Sequence, residues 1–207
     1  MTTISLIQQV TASDVFDFVC REFVRGSELH RAVDVGSEEF SDYFEESFFS
    51  MVAEKMSLVA VDQASGEITG CLLAGQFQPC EAPNLNTPKS IQAIKAILRQ
   101  LEKQHLQKLS LPLEQLVLVD IAIVTPAASG RGIYTALRHS LHDRASELGF
   151  SGVIGELSSR ASQVVCVQKL GHRLVGQVDY QSFQFDGGYP FSVIDNTYSI
   201  QLVEHLL

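Results

Sequence analysis

The chain has 207 residues, 45% of them apolar, with a formal charge of −9 and a pI near 5.1. That is enough apolar material for a full core in one domain of generous size, and the acidic balance without a basic cluster excludes a nucleic-acid or anionic-membrane footprint. The N-terminus carries no basic-plus-apolar signal and no run approaches eighteen apolar residues, so a soluble, cytoplasmic protein is expected.

In chain order, residues 3–10 read as a first strand, and Ser13 is placed to N-cap a helix carrying Val15, Phe16, Val19 and Phe23 that ends near Gly26. Ser37 is expected to cap a second helix through Phe40, Phe44, Phe48 and Met51. Alternation over residues 58–61 and 68–77, around an Asp62-to-Glu67 turn, predicts a hairpin. A Pro/Asn-rich loop follows, and Ile91, Ile94, Ile97, Leu98 and Leu101 then mark an amphipathic helix between residues 88 and 107. Cys20, Cys71, Cys80 and Cys166 have no paired or metal-like spacing and read as scattered reduced thiols.

The most informative stretch is residues 117–148. Val117, Val119, Ile121 and Ile123 alternate with Leu116, Leu118, Ala122 and Val124, so both faces of a predicted central strand are apolar except at Asp120. A loop, Thr125-Pro126-Ala127-Ala128-Ser129-Gly130-Arg131-Gly132-Ile133-Tyr134, then opens a helix whose stripe is Ile133, Leu137, Leu141, Ala145 and Leu148. Arg138, His142, Asp143 and Glu147 lie off that stripe, Gly149 is placed as a C-cap, and Gly152-Val153-Ile154-Gly155 reads as the next strand. Strand, glycine loop, helix and strand predict a β-α-β unit whose helix N-terminus offers free N–H groups to a diphosphate. A dinucleotide fingerprint fits poorly, since Thr135 stands at the third glycine position, although Glu156 supplies an acidic residue. A P-loop lacks its Lys-Ser/Thr, and a ligand-free glycine turn is the plain alternative. Two C-terminal strands, residues 173–185 and 196–203, are expected around a Gly187-Gly188-Tyr189-Pro190 turn.

The run Val119 to Pro126 followed by Ser129-Gly130-Arg131-Gly132-Ile133 resembles the acyl-CoA-binding motif of the GNAT superfamily of N-acetyltransferases, and Ser162-Gln163 with Lys169-Leu170-Gly171 resembles its thioester-end helix. Residues 23–36, the hairpin, Ser158-Ser159-Arg160-Ala161-Ser162 and the closing strands resemble the arylalkylamine (dopamine-type) N-acetyltransferases. The resemblance implies a mixed α/β GNAT fold over residues 1–207, a single domain with a twisted mixed sheet of about seven strands flanked by helices. It implies an acetyl-CoA-dependent N-acetyltransferase acting on a small amine, arylalkyl amines included, by direct transfer in a ternary complex, with no metal, as a monomer or homodimer. Coenzyme-binding residues by resemblance are Ile123, Val124, Ser129, Gly130, Arg131, Gly132, Ile133, Tyr134 and Ser162.

Ala127, Ala128 and Ser129 replace the basic, aromatic and arginine residues usual in that loop, and Tyr134 replaces a small one, which reduces side-chain help for the phosphates and narrows the groove. Catalytic candidates are Glu28 as base, although ungapped matching sets Ser27 against the family's glutamate, with Ser158 and Ser162 as the paired serines. His30 is a substitute base, Asp120 a carboxylate whose burial would raise its pKa, and Tyr180 and Tyr198 are strand residues that either face the site or pack. An apolar cup built from residues 40–49 would favour an aromatic amine. The other readings are a protein or peptide N-acetyltransferase and a non-catalytic acyl-CoA sensor.

Overall fold

The computed structural model describes residues 1–8 and 11–207. Seven strands form one sheet in the order β1-β2-β3-β4-β5-β7-β6: β1 Thr2–Leu6, β2 Leu58–Asp62, β3 Ile68–Gln76, β4 Leu116–Val124, β5 Gly152–Leu157, β6 Arg173–Asp179 and β7 Ser199–Leu206. All neighbours pair antiparallel except β4 and β5, which pair parallel and are joined by the helical crossover of the predicted β-α-β unit. The mixed α/β fold, the seven strands and the central place of β4 agree with expectation.

The helices are α1 Ala12–Gly26, α2 Glu28–Ala32, α3 Ser37–Ala53, α4 Lys89–His105, α5 Ile133–Glu147 and α6 Arg160–Gln163, the last running into a π-helical stretch, Val164–Lys169. One sheet face packs α1, α3 and α4 through Phe16, Val19, Phe44, Phe48, Ile97 and Leu101. The other packs α5, whose Leu137, Leu141 and Ala145 meet Leu72, Val117 and Val153.

Local corrections have physical reasons. The first strand stops at Leu6, and residues 9 and 10 of the expected strand lie outside the described residues. Thr11, not Ser13, precedes α1, and Gly36, not Ser37, precedes α3, neither with a side-chain cap bond. The short α2 was not foreseen; Ser27 caps it, its hydroxyl accepting from the His30 N–H. Of the two C-terminal strands, β6 ends at Asp179 and β7 starts at Ser199, and Phe185 and Gly188 form only an isolated bridge in the long connection.

The alternation in β4 is also not the one expected. Leu73 pairs with Ile121 but Ala74 pairs with Val119, so Asp120 is the extra residue of a β-bulge. One inserted residue flips every later side chain to the other face. Val117 and Val119 therefore face α5, whereas Ile121 and Ile123 belong to the α1/α3/α4 core.

Candidate active site

The bulge at Asp120 is where the site begins. β4 and β5 pair in parallel from Leu116↔Gly152 only to Val119↔Gly155, yet β4 continues to Val124 and β5 to Leu157. Each strand stays held on its far side, β4 by β3 out to Val124↔Gly70 and β5 by β7 out to Leu157↔Gln201. The two must splay, and the wedge between them opens into a cavity of about 420 Å³. Asp120, Ala122, Ile123 and Val124 line one wall and Glu156, Leu157 and Ser158 the other. Beyond Val119 the β5-facing edge of β4 keeps unpaired backbone donors and acceptors, which an extended amide-bearing ligand can use as a strand would.

One mouth of the wedge is the glycine loop. Gly130 and Gly132 hold φ of +77° and +78°, a left-handed conformation, and a Cβ on either would meet nothing within 4 Å. The backbone is thus bare toward the cavity. The first helical backbone bond there runs from the Ala136 N–H to the Gly132 carbonyl, and among the described residues the N–H groups of 130–135 have no protein acceptor. Six adjacent free donors at the positive end of α5 make an anion cradle built from main chain, which does not need the replaced side chains at 127–129. These observations fit a diphosphate-bearing cosubstrate.

Other parts of the lining carry the reverse polarity. Phe23, Gly26 and Ser27, the last turn of α1 and its cap, line the cavity and turn a helix C-terminus toward it. Asp120 is solvent-exposed where it lines the cavity, yet the protein packed around the wedge desolvates its carboxyl and pushes it up to about 6. Burial, with the nearby Glu102 and Asp120 carboxylates, holds Glu156 well above the usual carboxylate range, and its buried Oε1 has no partner.

Of the residues named from sequence, Ile123, Val124, Ser129, Gly130, Gly132, Ile133, Tyr134, Ser158 and Ser162 all lie on this cavity. The Ser162 hydroxyl donates to the Ser159 carbonyl at 2.8 Å, and the Ser158 carbonyl accepts from the Tyr180 hydroxyl at 2.9 Å. Arg131 points away, its Nη2 3.3 Å from an Asp62 carboxylate oxygen in an exposed pair. Glu28 opens α2 and faces a neighbouring recess of about 200 Å³ with Arg31, Ala32 and residues 193–196; its Oε1 accepts from Asn196 and its buried Oε2 has no partner. Ser27, the residue that ungapped matching favours, is the one on the main cavity.

His30 is buried between Phe23 and Phe40, with Nδ1 2.8 Å from the Ser27 hydroxyl, and burial pushes it down to about 4. Phe40, Phe44 and Phe48 are core residues packed on one another; the aromatic residues on the cavity are Phe23 and Tyr134, so residues 40–49 do not form its wall. Tyr180 is buried and Tyr198 exposed, and neither lines it.

Tyr134 is tied into a buried network. Its hydroxyl accepts from Arg138 Nε at 3.0 Å and Nη2 at 2.8 Å, leaving its proton for Cys166 Sγ at 3.2 Å. Arg138, expected off the packed stripe, is 1% exposed, its guanidinium lying beside Gly155 of β5 and bonded to the Tyr134 hydroxyl. Gly155 leaves the space: a Cβ there would sit 3.1 Å from the guanidinium. Sequence reasoning missed Arg138 altogether. Glu156 entered it only through a dinucleotide fingerprint, although a lone acid in an apolar strand was the available signal.

A wedge between two parallel strands with an N-terminal anion cradle on the connecting helix is the GNAT architecture. The chain has that fold, and the expected likeness to arylalkylamine-type members is borne out over its length. A mosquito arylalkylamine N-acetyltransferase-like protein (5b) superposes with a TM-score of 0.86 at 22% identity, over 100% of both chains. The C-terminal condensation domain of Ebony, solved with β-alanyl-dopamine, gives 0.84 at 16% identity over 100% of this chain and 99% of that one. A Drosophila melanogaster polyamine N-acetyltransferase that forms N-acetylagmatine gives 0.78 at 17% identity over 100% of both chains. No family model matches the sequence, and no curated protein matches it. Among the described residues no helix is long and apolar enough to cross a membrane.

Proposed function

We propose that the chain, as one domain over residues 1–207, is an acetyl-CoA-dependent N-acetyltransferase that acylates a small cationic amine by direct transfer. The observation that carries this reading is that one cavity combines the free N–H donors at the start of α5 with the carboxylates Asp120 and Glu156 and the α1 C-terminus. The donors favour an anionic acyl carrier and the carboxylates a cationic acceptor within one wedge. The solved structures named for arylalkylamines and polyamines support an amine acceptor.

Acetyl-CoA supplies an acyl group already activated as a thioester, so positioning carries much of the rate. The loop N–H groups and Arg131, once released from its weak surface pair, hold the diphosphate, and the free edge of β4 at Ile123 and Val124 aligns the pantetheine arm. The acceptor arrives as an ammonium and must lose a proton. Asp120, lying on the cavity and ionised above about pH 6, accepts it there directly or through water, while Glu28 does so only across the Ser27 end from its recess. Ser158 and Ser162, both on the cavity wall, are the candidates to orient the amine and to return a proton to the departing thiolate. In the transfer, the amine nitrogen bonds to the thioester carbon as the carbon–sulfur bond breaks.

The test is titration calorimetry with acetyl-CoA, with NAD as control ligand, then turnover on a panel of aryl-alkylamines, diamines, agmatine and N-terminal peptides. Micromolar acetyl-CoA binding, about −8 kcal/mol, with no NAD heat and turnover on small amines is expected. Binding without turnover would replace the enzyme with a sensor. Turnover on peptides alone would move the acceptor to proteins. Absence of binding would refute the donor site.

A further inference from the structure

Four of the six histidines gather around α5, and none of the four lines the cavity. His142 lies on α5, His172 just before β6 and His205 on β7, with His139 one turn back on the same helix. The rings of His142 and His205 stack at 4.2 Å, those of His172 and His205 at 4.7 Å, and those of His142 and His172 at 5.3 Å. One nitrogen from each of these three lies within 4.8 Å of the others.

Such a cluster normally satisfies its nitrogens with carboxylates, carbonyls or water. Here both ring nitrogens of His172 and Nε2 of His142 are buried without a hydrogen-bond partner. His172 is 3% exposed, so ordinary solvent does not reach it. Burial, then the neighbouring His205 and Arg138 charges, pushes His142 down to about 3, and burial with Arg138 and the other histidines does the same to His172. A neutral imidazole has one lone pair to give, and the unpartnered nitrogens of His142 and His172 leave theirs uncommitted.

We propose that His142, His172 and His205 form a binding site for one late first-row transition-metal ion, such as Zn²⁺, with solvent completing the coordination. Three neutral imidazoles are a donor set that suits zinc, copper or nickel and not magnesium or calcium. A tetrahedral ion with bonds of about 2.0–2.1 Å sets ligand nitrogens roughly 3.3 Å apart, so the rings need to fan inward by about an ångström from their stack. The placement permits it, since the three sit on separate elements and His172 follows Gly171, which turns at φ +69°. The charges that act on the rings are those of Arg138 and His139, with no carboxylate among them, so the loaded site is cationic and favours water or hydroxide as its fourth ligand. The ion has no part in acetyl transfer, and the proposal does not depend on that activity.

The experiment uses tag-free protein stripped with EDTA, dialysed free of chelator and titrated with ZnCl₂, with zinc per chain measured by atomic emission. One ion per chain is expected, and Co²⁺ in its place should give the visible absorption of a four-coordinate site. His172→Ala and His205→Ala should each weaken zinc binding roughly 10–100-fold or more, while His105→Ala, outside the cluster, leaves it unchanged. Circular dichroism checks that each variant is folded. No zinc uptake by the folded parent, or uptake that survives His172→Ala with His205→Ala, overturns the proposal.

Discussion

Gly132→Val separates backbone strain from ligand approach. Gly132 sits at φ +78°, where an L side chain costs about 1–2 kcal/mol, and a Cβ there meets no atom within 4 Å. The folded chain therefore carries strain but no clash, and its Tm should fall by roughly 2–8 °C. The isopropyl group would project where a diphosphate must approach the N–H groups of 130–135. Losing two charge-assisted hydrogen bonds at about 1.5–3 kcal/mol each weakens binding by at least a hundredfold. Gly66→Val is the matched control, because Gly66 turns at φ +74° with equally empty surroundings but lies in the β2–β3 hairpin, off the cavity. Both variants should lose similar stability in thermal melts, and only Gly132→Val should lose acetyl-CoA in calorimetry. Unchanged affinity in folded Gly132→Val, or equal losses in both variants, would refute the loop as the diphosphate cradle.

Asp120→Asn tests the raised carboxyl. Because burial lifts its folded pKa to about 6, the native chain holds this proton more tightly than the unfolded chain, and the stability so gained is lost as pH rises from the ordinary carboxylate range through 6. The variant should match the parent in Tm near pH 4 and exceed it at about pH 8, while the acidic limb of kcat/KM near pH 6 disappears with much of the rate. A Tm difference that does not change with pH would show that Asp120 is not perturbed. Tyr134→Phe removes the oxygen that accepts two bonds from buried Arg138 and strands the guanidinium. A loss of about 2–4 kcal/mol, seen as a lower midpoint in urea, is expected, and a midpoint within error of the parent would mean the guanidinium finds another partner.

The sequence by itself determined the parts governed by short-range rules. Alternation located β2 to β5, the 3.6-residue period located α1, α3, α4 and α5, and glycines at 130, 132 and 149 announced the left-handed positions that bound α5. Those signals depend only on a residue and its near neighbours, and the loop they frame did become one mouth of the cavity. The bulge at Asp120 was beyond them, because it exists only in the register between β3 and β4, and with it went the face of Ile121 and Ile123 and the splay that makes the wedge. Long-range packing likewise decided that Phe40, Phe44 and Phe48 fill a core instead of a substrate cup, and that Arg131 turns to Asp62. It also buried Arg138 and His142, polar residues on a helix that reads as half exposed, against His172 and His205 from distant segments. Their environment is set by atoms brought from elsewhere in the chain, and no local pattern encodes which atoms those are.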